Sequence, residues 1–270
     1  MPKNIIAKAG PLGCKHCMGA HPLNFLITMA FQPIVDLRDR TVFAYEALVR
    51  GADGSGAGEV LSWITEDNRY TFDQTCRIKA IELAAKLGLE TKLSINFLPN
   101  AVYRPETCIR ATMQAATEYD VNIDQLMFEV TEAEPVRDPE HLGNIFAKYK
   151  DIGFTTAIDD FGAGFAGLNL LSKFQPQVIK LDMELCQDIA GNPTKQTITA
   201  GIIATARQLS IEVIAEGIET MEDLEVLQSM GVYLFQGYLF AKPEVERLPI
   251  PNFSALGLAA MMTAERNSMV

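Results

Sequence analysis

Acidic, amide and basic side chains recur in this sequence at the ends of short apolar runs. They are Glu46 and Arg50, Asn96, Glu129 with Glu132 just beyond, Asp159 beside Asp160, Lys180 and Asp182, Glu216 and Glu219, and Gln236. A lone Glu in an apolar run is usually an edge or surface residue. Glu46 in TVFAYEALV is harder to dismiss, because a buried unpaired carboxylate costs several kcal/mol or stays protonated. Five carboxylates converging on one place would repel one another strongly without cations. Their donors are oxygens, with no Cys and no His among them, so hard divalent metals fit. The adjacent Asp159 and Asp160 can feed two metals, one of them bridging. Two such ions ~3.5–4 Å apart can activate a water and hold the leaving and non-bridging oxygens of a phosphodiester. Lys180 adds positive charge near the developing oxyanion or the water. The pattern points to metal-dependent phosphoester hydrolysis, with metal-assisted aldol or enolase-type chemistry as the alternative on the same scaffold.

The elements that must position these groups follow a βα rhythm. Eight apolar runs are expected as strands: Thr28–Val35, Thr41–Val49, Leu93–Leu98, Gln125–Thr131, Phe154–Ile158, Gln177–Leu181, Ile211–Ala215 and Val232–Phe235. The first two are too close for an intervening helix and should pair as an antiparallel hairpin. Seven helices should follow strands two to eight. Their signals are a capping box at Thr71 and Gln74 with Gly88 as the stop, and cap-plus-proline pairs at Asp138–Pro139 and Asn192–Pro193. Thr220 should cap Met221–Met230, ahead of Gly231. The fold class is therefore α/β, a (β/α)8 barrel whose first strand is antiparallel.

Barrel active sites lie at the C-terminal ends of the strands. Side chains at i and i+2 share a face of a strand. Glu46 thus aligns with Ala44, Leu48 and Arg50, Asn96 with Ser94, and Glu129 with Met127. Likewise Asp159 aligns with Ala157, Lys180 with Val178, and Glu216 with Ile214. One consistent parity sends the chemical residues into the barrel mouth.

The 270 residues are 48% hydrophobic and carry a formal charge of −11, a folded composition that argues against a duplex nucleic-acid binder. No run reaches the ~18 apolar residues of a membrane span, and no signal-peptide pattern is present. Five unevenly spaced Cys speak against a disulfide framework and for a reducing, cytoplasmic setting. Residues 1–26 read as an N-terminal extension, 27–250 as the catalytic domain and 251–270 as a tail. No sensory domain of ordinary size fits in the extension, so a stand-alone catalytic domain is expected.

At these same residues the sequence resembles the EAL domain family of cyclic-di-GMP phosphodiesterases. Glu46-Ala47-Leu48 sits in YEALVR. FQPIV (31–35), SINF (94–97), FEVTE (128–132), DDFGAGFAGL (159–168), VIKLD (178–182), IAEGIET (214–220) and QGYLFAKP (236–243) follow in the family's order. The resemblance implies hydrolysis of cyclic di-GMP to linear pGpG with Mg2+ or Mn2+ at a two-metal site. It assigns one metal to Glu46, Asn96, Glu129 and Asp159, and the second to Asp159, Asp160 and Glu216. Lys180 would position or help deprotonate the attacking water, with Glu46 and Glu216 completing the catalytic set. Gln32, Leu48 and Arg50 match ligand-contacting positions, Arg50 being suited to a phosphate oxygen. Gln236 would support the site by hydrogen bonding, and it counts with Asp182 among the substrate-side residues; Asp182 would touch either the second metal's waters or a guanine. Glu132 matches the residue that braces the loop after strand five, and Glu219 would lie behind the ligands. The segment of about 161–175 is expected to contribute to a homodimer. Gly51 departs from the family, which often has Trp there, and Ala166 and Gly167 replace small hydroxyl residues. A catalytically silent receptor or interaction module is the rival reading, and retention of every ligand position speaks for the enzyme.

One signal lies outside this scheme. Cys14-x-x-Cys17, with His16 and His21 nearby, invites a zinc or redox reading against that of an exposed or loosely packed leader; two Cys and two His is a count zinc accepts, but zinc fingers use a wider gap between ligand pairs.

Overall fold

The structure, a computed structural model, describes residues 21–131, 139–163 and 167–254. Strands β1 (Ile27–Asp36) and β2 (Thr41–Gly51) form the expected antiparallel hairpin, with Gln32 opposite Glu46. Asp36 closes its turn by accepting the Arg38 amide at 2.9 Å and pairing with the Arg38 guanidinium. Parallel strands follow: β3 (Lys92–Asn96), β4 (Leu126–Thr131), β5 (Thr155–Phe161), β6 (Val178–Leu181), β7 (Glu212–Ala215) and β8 (Leu234–Phe235). β8 returns to β1 at Val35 and Asp36 and closes the barrel. A ninth strand, β9 (Glu244–Val245), which the sequence pattern did not reveal, pairs with β1 at Ala30 and Phe31. Both β8 and β9 use the edge of β1 that β2 leaves free, so β9 fills the part of that seam nearer the mouth.

Helices α1 (Ala57–Ser62) and α2 (Arg69–Lys86) follow β2, and α3 (Pro105–Cys108) and α4 (Arg110–Glu118) follow β3. After β4 and β5 come α5 (Pro139–Ile152) and α6 (Gly167–Lys173). After β6 and β7 come α7 (Met183–Cys186), α8 (Pro193–Gln208) and α9 (Met221–Ser229). The cap signals hold at α8, where Asn192 accepts the Lys195 amide at 3.1 Å, and at α9, where Thr220 accepts that of Asp223 at 3.2 Å. The Thr71 capping box does not form. α2 starts three residues earlier, with Asn68 at the N-cap position, and Thr71, Phe72 and Gln74 are buried within it. Packing of that first turn outweighs the local cap preference. Asp138 lies outside the described residues.

The expected helix after strand eight is also absent through residue 253. Pro243, Pro249 and Pro251 withhold the amides a helix needs there. The segment instead straps the barrel: Glu246 N donates to Met29 O at 2.9 Å and the Tyr45 hydroxyl to Pro249 O at 2.9 Å. Among the described residues no helix is long and apolar enough to cross a membrane.

Two apolar layers set the floor of the site. Outward-facing strand residues such as Phe31, Phe128 and Ile179 pack under the helices. Ile34, Ala44, Met127, Ala157, Val178, Ile214 and Leu234 form a separate buried cluster that plugs the lumen. Six of these lumen residues lie two positions before a chemical residue on, or just past the end of, the same strand, as alternation requires. Water is thereby excluded from beneath the polar mouth.

Candidate active site

Lys180 is the centre of the mouth. Its side chain is fully buried, and Nζ lies 2.7 Å from Glu216, 2.9 Å from Glu129, 3.0 Å from Asp159 and 3.3 Å from Glu46. Glu46 is held from three sides. Asn96 Nδ2 donates to its Oε1 at 2.8 Å, Gln236 Nε2 to its Oε2 at 2.8 Å, and Lys180 to the same Oε2. Gln236 also donates to Gln32 Oε1 at 3.3 Å, and Gln32 Nε2 donates to Ala241 O at 3.2 Å. Ser94, which the sequence reading placed on this face without giving it a role, donates its hydroxyl to Glu129 Oε1. Its position two residues before Asn96 was the available signal.

The adjacent aspartates need a local distortion. Strict alternation would aim Asp159 inward and Asp160 outward. Between β5 and β6 the register moves three residues on β5, from Ile158 to Phe161, against two on β6. This bulge, with Asp160 in the left-handed region at φ 51°, re-aims the second carboxylate. Ligand oxygens of Asp159, Asp160 and Glu216 then lie within 4.8 Å of one another, as do those of Glu46, Glu129 and Asp159. Asp159 belongs to both groups.

Charge and burial oppose each other here. Burial works against ionised Glu46, but Lys180, Gln236 and Asn96 outweigh it and hold the carboxyl below its usual range. Burial, with Glu46 and Asp159 adding repulsion, pushes Glu129 up to about 8 despite Lys180. Burial also raises Asp159, and raises Glu216 well above its ordinary value. Burial would lower Lys180, yet the four carboxylates keep it an ammonium. Among the described residues Lys180 thus lies against four acids, with Asp160 grouped beside Asp159 and Glu216 as a fifth.

The donor set fits divalent cations. Two overlapping groups of carboxylate oxygens share one residue, and among the described residues neither group includes a Cys or His. Asp159 Oδ1 is buried and, apart from its ion contact with Lys180, has no hydrogen-bond donor among the described residues.

Other expected site residues stand further out. Leu48 and Arg50 are partly exposed above Glu46 on β2, and the Arg50 guanidinium donates to Val49 O at 2.7 Å. Asp182 is buried but is engaged as the cap of α7, accepting the Glu184 amide at 2.8 Å. Burial, with Asp160 nearby, raises its carboxyl. Glu219 is exposed, and among the described residues no hydrogen bond or ion pair ties it to the cluster. Glu132, Cys14, His16 and Cys17 lie outside the described residues. His21 is exposed, 4.0 Å from Asp67. Gly51 ends β2; a Cβ there would meet the tip of the exposed Asp53 side chain at 2.4 Å and Ser55 Cβ at 2.9 Å, so a larger residue requires those side chains to shift.

Comparison with known proteins agrees with this geometry. A family profile described as the EAL domain matches residues 24–243. The blue light- and temperature-regulated antirepressor BluF of Escherichia coli is 34% identical over 82% of this chain and 55% of its own length. Cyclic di-GMP phosphodiesterase PA2567 of Pseudomonas aeruginosa is 30% identical over 80% of this chain and 38% of its own. The chain thus spans about half or less of these curated relatives. Among solved structures, a standalone versatile EAL protein from Vibrio cholerae, in its c-di-GMP-bound form, superposes with a TM-score of 0.83 at 52% identity. That match covers 86% of this chain and 98% of the other. Klebsiella pneumoniae BlrP1, in a manganese/cyclic-di-GMP complex, gives 0.77 at 37% identity, over 84% of this chain and 58% of its own.

Proposed function

The chain belongs to the EAL family, and on that premise we propose that it hydrolyses cyclic di-GMP to linear pGpG at the barrel mouth with Mg2+ or Mn2+. The observation that carries the reading is the buried Lys180 ammonium ringed by Glu46, Glu129, Asp159 and Glu216, with Asp160 turned into the same space by the β5 bulge. Glu46, Asn96, Glu129 and Asp159 would hold one cation, and Asp159, Asp160 and Glu216 the other. A bound pair of divalent cations supplies charge neutralisation at phosphorus and a more acidic attacking water.

The chain's own residues supply the rest. Lys180 donates hydrogen bonds and carries fixed positive charge where negative charge develops. Without metal its ammonium is stabilised by four carboxylates, and with cations bound it would position or help deprotonate the attacking water. Gln236 and Asn96 keep Glu46 in one rotamer by occupying one oxygen each. Arg50, at the rim, can exchange its bond to Val49 O for a phosphate oxygen. Gln32 and Leu48 line the same strand pair, and Asp182 borders Asp160. Glu132 is proposed to brace the loop after β5, and Glu219 to lie behind the metal ligands. Exposed Leu168 on α6 and Met183 on α7 support a homodimer contact beside the segment after Asp160.

One incubation tests the reading: pure protein with cyclic di-GMP and Mg2+ or Mn2+, the products separated by chromatography. Linear pGpG is expected. Binding of cyclic di-GMP without any product would overturn hydrolysis in favour of a silent receptor, the rival that the antirepressor BluF keeps in view. Light scattering at assay concentration tests the dimer, which a monomeric mass refutes.

A further inference from the structure

A second set of buried charged groups lies behind the site, and nothing in the chemistry above uses it. Asp73 and Arg77 stand one helical turn apart on α2, both withdrawn from solvent. Arg77 Nη2 is 2.8 Å from Asp73 Oδ2, and Arg77 Nη1 donates to the Tyr149 hydroxyl of α5 at 2.7 Å. Gln74 Nε2 donates to the same Asp73 oxygen at 3.1 Å. The guanidinium carbon lies 5.3 Å from the ring centroids of both Phe97 and Phe128. The remaining carboxylate oxygen, Asp73 Oδ1, accepts the backbone N–H of Leu98 at 2.9 Å.

These contacts converge on the outer side of β3 and β4. Phe97 follows Asn96, and Phe128 precedes Glu129, so alternation puts the rings outside and the two site residues inside. The Phe97 amide in turn donates to Glu129 O at 2.9 Å. A buried ion pair is a poor source of stability, since apolar residues of similar volume often do as well or better. Burial even pushes the Asp73 carboxyl up despite Arg77 beside it. What the pair supplies that apolar residues cannot is an acceptor of fixed position for the backbone two residues after Asn96.

We propose that Asp73, held by Arg77 and Tyr149, is a positioning residue that fixes the Asn96–Leu98 corner and thereby sets the divalent-cation affinity of the mouth. The proposal rests on the reading of the mouth as a cation site. Residues that orient metal ligands change affinity or activity by about 10–100-fold when removed.

The test compares two double variants of the full chain. D73L/R77M removes the acceptor and both charges, whereas D73N/R77M removes the charges and keeps an oxygen for the Leu98 N–H. Mn2+ affinity is read by calorimetry without substrate, and amide exchange over residues 96–98 by mass spectrometry without metal. D73L/R77M is expected to bind Mn2+ about tenfold more weakly and to exchange faster at Leu98, while D73N/R77M stays near wild type in both. Adding N96A to D73L/R77M should then cause little further loss, because both act through one ligand. Unchanged exchange and affinity in folded D73L/R77M, or losses fully additive with N96A, would overturn the proposal. D73A/R77M takes the place of D73L/R77M if the latter does not refold. If wild type itself binds no Mn2+, the reading of the mouth fails, and the exchange result alone then decides whether Asp73 fixes the corner.

Discussion

Replacing Lys180 by Met tests the electrostatic core of the site most directly. Met nearly matches the volume and removes the charge that lies 2.7–3.3 Å from four carboxylates. Removing one partner from a buried ion pair costs about 3–5 kcal/mol. Protonation of Glu129 and Glu216, both already raised, absorbs part of the repulsion and favours the lower end of that range. At roughly 2–4 °C per kcal/mol for a chain of this size, the melting temperature in EDTA should fall by about 6–12 °C. Mn2+ should recover more stability in K180M than in wild type, because the variant's cluster has lost its built-in cation. Turnover should fall by about 10²–10³-fold, the usual loss when one preorganised donor to developing charge is removed. Binding of cyclic di-GMP in Ca2+ should change far less. The assays are differential scanning fluorimetry with and without metal, product chromatography, and calorimetry. A K180M melting temperature within 1 °C of wild type in EDTA would refute the counter-ion role (the margin being well under the ~2 °C expected for a single kcal/mol). An unchanged turnover would refute the catalytic role.

Three further outcomes follow from the same geometry. E46A should abolish pGpG formation; native-rate product from the purified variant with Mg2+ would remove Glu46 from the site. In EDTA, the stability contribution of Glu129 should be fully present below its unfolded pKa and be lost as pH rises toward about 8, because the folded state binds the extra proton in that window. Melting temperatures from pH 5 to 9 should therefore decline, with a shallower slope in E129Q, and a flat wild-type profile would contradict the raised carboxyl. G237A should lower the urea midpoint by an amount equivalent to about 1–3 kcal/mol of overpacking, because its Cβ would meet Ile218 O at 2.1 Å. That contact holds together the loops carrying Glu216 and Gln236, through Ile218 N to Gln236 O at 3.1 Å and Leu239 N to Ile218 O at 3.0 Å. Wild-type stability and turnover in G237A would show that the loops tolerate separation.

Alternation along the strands and the types of residue at their ends were legible in the sequence, because a strand's period of two is a local property. From that alone Glu46, Asn96, Glu129, Asp159, Lys180 and Glu216 could be put on one side of one barrel end. The apolar residues two positions before Glu46, Glu129, Asp159, Lys180 and Glu216 share that face, and the structure makes them part of the plug. Where a cap competes with core packing, as at Thr71, the local signal lost.

Tertiary contacts decided the rest. Asp160 joins the cluster only because β5 bulges against β6, a mismatch between two strands that neither sequence segment contains. β9 exists because β1 has an edge left open near the mouth, which is a property of barrel closure. Lys180 could be identified as a cation near the chemistry, but its contact with four acids drawn from residues 46 to 216 depends on distances that only the closed ring creates. Residue types and period thus specified which groups reach the mouth, while register, bulge and closure set their separations, and it is separation that converts a row of acids into a cation site.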